Sequence, residues 1–226
     1  MENYQALISA FKKRIEHCEV HIVNFEKRHD NHKREDALIY CLRHAVDLAK
    51  GCLVTADAKL PDSLKTQSRA LLETFFWARY VAASEANAQE FIDSTINEMK
   101  RVARMNVKAG YATVYDKKTT KEKTKEYLNS PLANDIPNRI SIRKTAELGG
   151  LGRLYSILYG YMSMISHGRA IGMVSRRDID RDFYASMSTA IGALQGIEMV
   201  AADWVIGRKQ TDADILSKML GIQVDP

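Results

Sequence analysis

Apolar side chains return at steps of three and four along nearly the whole chain, and that period leaves room for little except α-helices. Tyr4, Leu7, Phe11, Ile15, Cys18, Ile22 and Phe25 form the first such series, a stripe narrow enough for helix–helix packing. After a break at His29 to Arg34, a second series runs from Glu35 to Ala56 through Leu38, Cys41, Leu42, Ala45, Leu48, Ala49 and Cys52. Leu60-Pro61-Asp62-Ser63 is a helix start, because Pro fits the first turn and Asp or Ser can cap it. The helix it opens, to Ala83, is apolar nearly all round: Leu64, Leu71, Leu72, Phe75, Phe76, Trp77, Ala78, Tyr80, Val81. Such a helix sits in the middle of a bundle.

A fourth amphipathic helix is expected from Ala86 to Ala109, with Phe91, Ile92, Ile96, Met99, Val102 and Ala103 on one side. From Gly110 to Asn138 the periodicity lapses and the chain turns Lys- and Thr-rich, as a flexible loop would. A short helix at Ile142 to Leu148 precedes Gly149-Gly150-Leu151-Gly152. A fifth long helix then runs from Arg153 to Ser166, and a sixth from Asp178 to Ile206. Thr211-Asp212-Ala213-Asp214 has the pattern of a cap for a last short helix ending at Gly221. The 4 Pro and 12 Gly, with no alternating β-branched run, argue against a turn-rich β-sandwich. The expectation is all-α: a bundle of five or six long helices forming one domain over residues 1–226, with a basic loop at 110–138 between the fourth and fifth.

No stretch approaches the ~18 uninterrupted apolar residues of a membrane span, and Met1-Glu2-Asn3-Tyr4 lacks the basic-then-apolar order of a signal peptide. Three Cys, an odd number, argue for a reducing compartment, so a cytoplasmic location without membrane attachment is expected. The net charge of +5 serves solubility without marking a nucleic-acid binder. Its distribution says more. Between Arg101 and Lys125 stand Arg101, Arg104, Lys108, Lys117, Lys118, Lys121, Lys123 and Lys125 against Asp116 and Glu122. Such a surplus can rest on phosphates, or be a solvated loop.

Familiar motifs fail. Gly149-Gly150-Leu151-Gly152 follows no strand and precedes no Lys-Ser or Lys-Thr, so it reads as a hinge between helices. Cys18, Cys41 and Cys52 lack zinc spacing. His17 and His21, four apart on the first helix, could bind a metal. Glu16 and Glu19 fall on other faces and no third ligand is evident, so the pair reads as structural or surface. No metal site and no cofactor are expected.

Two constellations carry chemistry. Arg69 and Glu73 share a helix face with Leu72, Phe76 and Tyr80, and charges set against packed aromatics are costly unless paired. Tyr155, Tyr159, Ser163 and His167 follow one another at four-residue steps, forming a gently winding strip of proton donors and acceptors that ends at Gly168. Arg153 and Arg169 bracket it. The same residues suit a structural network, since a His before Gly favours a helix end and buried Tyr hydroxyls often anchor to a facing Arg or Glu.

These residues also carry a resemblance. Ser68-Arg69-Ala70-Leu71-Leu72-Glu73, followed by Gly152-Arg153-Leu154-Tyr155 with Tyr159, Ser163 and His167-Gly168, resembles a bacterial family of all-helical proteins of unknown function that shares an Arg-x-x-x-Glu helix and a Tyr-x-x-x-Ser-x-x-x-His helix. It spans Leu38 to Gly172. More distantly the architecture is similar to the HEPN superfamily, many of whose members are metal-independent ribonucleases of toxin–antitoxin and anti-phage systems. Those use Arg followed four to six residues later by His at a dimer cleft. Here the literal match is Arg14-x6-His21, with Ile15 in place of the usual polar residue, and His167 has no Arg at that spacing.

The resemblance implies a ribonuclease effector of a bacterial stress or anti-phage system. His167 would be the general acid or base, Arg69 or Arg153 would stabilise phosphate charge, Tyr159 and Ser163 would position it, and Glu73 would orient Arg69. Lys117, Lys118 and Lys121 would guide RNA. The alternative is a non-enzymatic dimeric helical module that binds or regulates a protein partner, suited by the first-helix stripe and nine Met. A homodimer, RNA and a protein partner encoded nearby are the expected associates.

Overall fold

The computed structural model describes residues 2–27, 32–134, 137, 140–166 and 179–206. In chain order its elements are α1 (Glu2–Glu26), α2 (Lys33–Asp57), α3 (Pro61–Ala83), α4 (Glu85–Lys108), α5 (Thr124–Asn129), α6 (Pro131–Asn134), α7 (Ile142–Leu148), α8 (Gly152–Leu154), a π-helical segment (Tyr155–Tyr159), α9 (Gly160–Ser166) and α10 (Ile179–Ile206). The fold is all-α. Among the described residues, β pairing is confined to an isolated bridge between Tyr115 and Glu122. The helix expected at Thr211 to Gly221 lies outside the described residues.

The chain divides into two compact units, one of residues 1–88 with 142–226 and one of 89–141. In the first, α3 is central: α2, α10, α7 and α9 all pack on it, while α1 lies against α2 and α10. Its apolar girth explains the position. Leu64, Leu71, Leu72, Phe75, Phe76 and Val81 are wholly buried, and full burial of each such side chain is worth roughly 1.5–3 kcal/mol. The α3–α10 approach depends on a missing side chain, because a Cβ on Gly196 would stand 2.6 Å from the Phe75 ring.

Helix ends follow local chemistry. Pro61 opens α3, where its absent N–H costs nothing. The α7 terminus is a Schellman stop: Gly150 takes φ +78°, its N–H bonds the Glu147 carbonyl, and the Leu151 N–H reaches Ala146 at 2.7 Å. Leu151 is buried behind it. The glycine run is therefore a turn between two helices.

In the second unit, the stretch expected as a loop contains α5, α6 and a tight turn. The Asp116 carboxylate accepts hydrogen bonds from the Lys118 and Thr119 backbone N–H groups and from the Thr119 hydroxyl, at 2.7–2.9 Å. Lys117, Lys118 and Lys121 project from this turn into solvent.

Candidate functional site

The helical stretch 152–166 runs antiparallel to α3, with Tyr155 and Tyr159 against Phe76 and Tyr161 beside Lys65. This register brings Tyr159 to the two charges that the sequence places on the apolar face of α3. The Arg69 Nη2 donates to the Tyr159 hydroxyl at 2.8 Å, and that hydroxyl donates to Glu73 Oε1 at 2.6 Å. Arg69 and Glu73 also pair directly at 2.7 Å, and the guanidinium lies 5.0 Å over the Tyr159 ring. The result is a closed triangle of charge-assisted bonds.

The triangle shifts proton affinities. Burial opposes the Arg69 charge, but the Tyr159 bond and Glu73 outweigh it, raising its pKa. Burial first, then the bond to Glu73, raises the Tyr159 pKa against the pull of Arg69. Both groups therefore hold their neutral-pH forms: a cationic guanidinium and a protonated phenol. Nη2 is fully engaged, whereas among the described residues the buried Arg69 Nε has no hydrogen-bond partner.

The long helix expected at 153–166 is present as a continuous helical stretch, and its first part contains the π-helical segment, in which the Gly160 N–H bonds the Tyr155 carbonyl. The widened turn stacks Tyr155 on Tyr159, with ring centroids 4.8 Å apart. Such segments are frequent at functional sites. Ser163 stands one turn beyond Tyr159, half-buried, and Arg153 on α8 is exposed. His167 and Arg169 lie outside the described residues. Lys117, Lys118 and Lys121 belong to the other compact unit.

The structure adds one residue to the α3 face. Lys65, one turn before Arg69, is 1% exposed and pairs with Asp182 of α10 at 2.9 Å. The Tyr161 hydroxyl donates to the other Asp182 oxygen at 3.2 Å. The four-residue step Lys65–Arg69–Glu73 is visible in the sequence, but its partner on α10 is not.

A second polar cluster joins α1 to α10. Glu198, whose side chain is 4% exposed, accepts a bond from Arg14 at 3.0 Å through Oε2. Its Oε1 lies 2.6 Å from His17 Nδ1 and 3.0 Å from His21 Nδ1. The third group missing beside His17 and His21 in the sequence is thus Glu198. Its signal was a lone acid in Gly196-Ile197-Glu198-Met199-Val200, an otherwise apolar run. Burial lowers the His21 pKa against the pull of Glu198. The buried Cys18 thiol beside them is held protonated, by burial first and Glu198 second. Cys41 and Cys52 are likewise buried and free. No helix among the described residues is long and apolar enough to cross a membrane.

Residues 35–184 match the profile of a family of unknown function, DUF5677. No curated protein and no solved structure matches the chain.

Proposed function

This chain belongs to the DUF5677 family, and we propose that the face shared by α3 and residues 152–166 is the phosphate-handling centre of a metal-independent endoribonuclease. The observation that carries this reading is Arg69. Its Nη2 is fixed by Tyr159 and Glu73, while its buried Nε has no partner among the described residues. A cation held in place with an unsatisfied donor suits the charge that develops on a phosphate in a transition state.

In this proposal His167 takes the proton from a ribose 2′-hydroxyl as that oxygen attacks the adjacent phosphorus; the bond from phosphorus to the 5′-oxygen of the next nucleotide breaks, leaving a 2′,3′-cyclic phosphate and a 5′-hydroxyl that takes its proton from water. Arg69 stabilises the phosphate, Glu73 keeps Arg69 oriented, and Tyr159 with Ser163 positions the reacting group. Arg153, Lys117, Lys118 and Lys121 supply backbone attraction that carries no sequence preference. The working form is a homodimer acting in bacterial stress or anti-phage defence.

Incubation of wild type, His167→Ala and Arg69→Gln with total RNA in EDTA, below the melting temperature of each protein, tests it. The expected result is cleavage by wild type and its loss in both variants, with unchanged melting for His167→Ala. Cleavage by His167→Ala equal to wild type, or no cleavage by wild type, overturns the proposal.

The second reading, a non-enzymatic module that binds a protein partner, is favoured by α4. Ile96, Met99, Val102 and Met105 there are 49%, 69%, 46% and 64% exposed, more apolar surface on one helix than solubility requires.

A further inference from the structure

We propose that His17, His21 and Glu198 bind a single divalent transition ion of the zinc class, which clasps α1 to α10. The site lies wholly outside residues 35–184, the span the family profile matches, and shares no residue with the α3 centre. It does not depend on the ribonuclease proposal.

The geometry is that of a two-His, one-carboxylate set. His17 and His21 are four residues apart on one helix, which places both imidazoles on one face. Glu198 comes from a different helix, and its Oε1 faces both Nδ1 atoms at 2.6 and 3.0 Å. One ligand atom from each residue falls in a group spanning no more than 4.8 Å. Tetrahedral zinc with ~2.0–2.1 Å bonds needs its ligand atoms about 3.3 Å apart, so small side-chain adjustments around the centre would suffice.

A second observation separates this cluster from an ordinary hydrogen-bonded one. Glu198 Oε1 and His21 Nδ1 are both sealed from solvent, yet among the described residues neither has a hydrogen-bond partner. They approach to 3.0 Å without a bond joining them. A buried carboxylate oxygen left in this way is costly. A cation accepting lone pairs from both atoms removes that cost.

The surroundings specify the coordination. Arg14 occupies Oε2, leaving Glu198 to bind through Oε1 alone and fixing its carboxylate plane, the role that neighbours of ligands commonly play. Three protein ligands leave a tetrahedral ion one further position. His17 is 53% exposed, so water can reach that position. Nitrogen and carboxylate donors with no thiolate select zinc, nickel, cobalt or copper over calcium or magnesium.

The test uses the metal-stripped full chain titrated with Zn²⁺, and separately with Co²⁺. Wild type is expected to take up one equivalent, and its melting temperature should rise by roughly 5–10 °C at zinc a hundredfold above Kd. The Co²⁺ form should show the strong visible absorption of a four-coordinate ion. His17→Asn, at a half-exposed position, and Glu198→Gln should abolish all three signals. If Glu198→Gln does not fold, His17→Asn decides. Equal uptake and equal melting shift in wild type and His17→Asn would overturn the assignment, as would no uptake by wild type.

Discussion

The Lys65–Asp182 pair offers an asymmetric test of how α10 is pinned to α3. The two partners are not equally buried: the Lys65 side chain is 2% exposed and that of Asp182 14%. Removing the carboxylate in Asp182→Ala strands a buried ammonium without its counter-charge, beside the Tyr161 ring at 5.1 Å. Breaking a buried pair from one side costs about 3–5 kcal/mol. Removing the amine in Lys65→Met is milder. The remaining Asp182 sits in the first turn of α10, where the helix dipole contributes ~0.3–1 kcal/mol, and it keeps the Tyr161 hydroxyl. We expect a loss of about 1–2 kcal/mol for Lys65→Met, since Met fills most of the Lys volume. For a chain of this size about 2–4 °C corresponds to 1 kcal/mol, so Asp182→Ala should melt roughly 10 °C below wild type and Lys65→Met only a few degrees below. The double variant should melt above Asp182→Ala, because no charge is left buried. Thermal melts followed by circular dichroism measure all four proteins. A double variant no more stable than Asp182→Ala, or two single variants of equal cost, would refute the reasoning.

Two further outcomes test the packing and the α3 centre. Gly196→Ala forces a methyl to 2.6 Å from the Phe75 ring, and the overpacking should cost ~1–3 kcal/mol in a urea melt. Tyr159→Phe removes both bonds of its hydroxyl and should lower stability at neutral pH. Because the folded pKa of Tyr159 is raised above its ordinary value of 10.0, the contribution is complete below pH 10 and fades as pH climbs through the folded value. The stability gap between wild type and Tyr159→Phe should therefore stay flat from pH 7 to 9 and narrow only in stronger alkali.

Helix identity was legible because it is written in local spacing. Expected spans such as Glu35 to Ala56 and Ile142 to Leu148 correspond to α2 (Lys33–Asp57) and α7 (Ile142–Leu148), and the all-round apolar character of α3 announced its central place. The strain in Arg69 and Glu73 was also visible, since two charges on a face with Leu72 and Phe76 require partners. The π-helical segment was not, because a 3.6-residue period fits Tyr155, Tyr159 and Ser163 equally well without it. The division at residues 88 and 141 was equally hidden, since α4 crosses the first boundary as one uninterrupted helix.

By itself the sequence determined which segments are helical, which helix is innermost, and which charges need an answer, because these depend on neighbours three or four residues away. Tertiary structure alone decided which residues answer them. Tyr159 reaches Arg69 from 90 positions along the chain, Asp182 meets Lys65 across 117, and Glu198 turns toward Arg14 from 184. Those meetings depend on the register in which helices pack, and register is set by the fit of whole side-chain surfaces, such as Gly196 under Phe75, which no local spacing encodes.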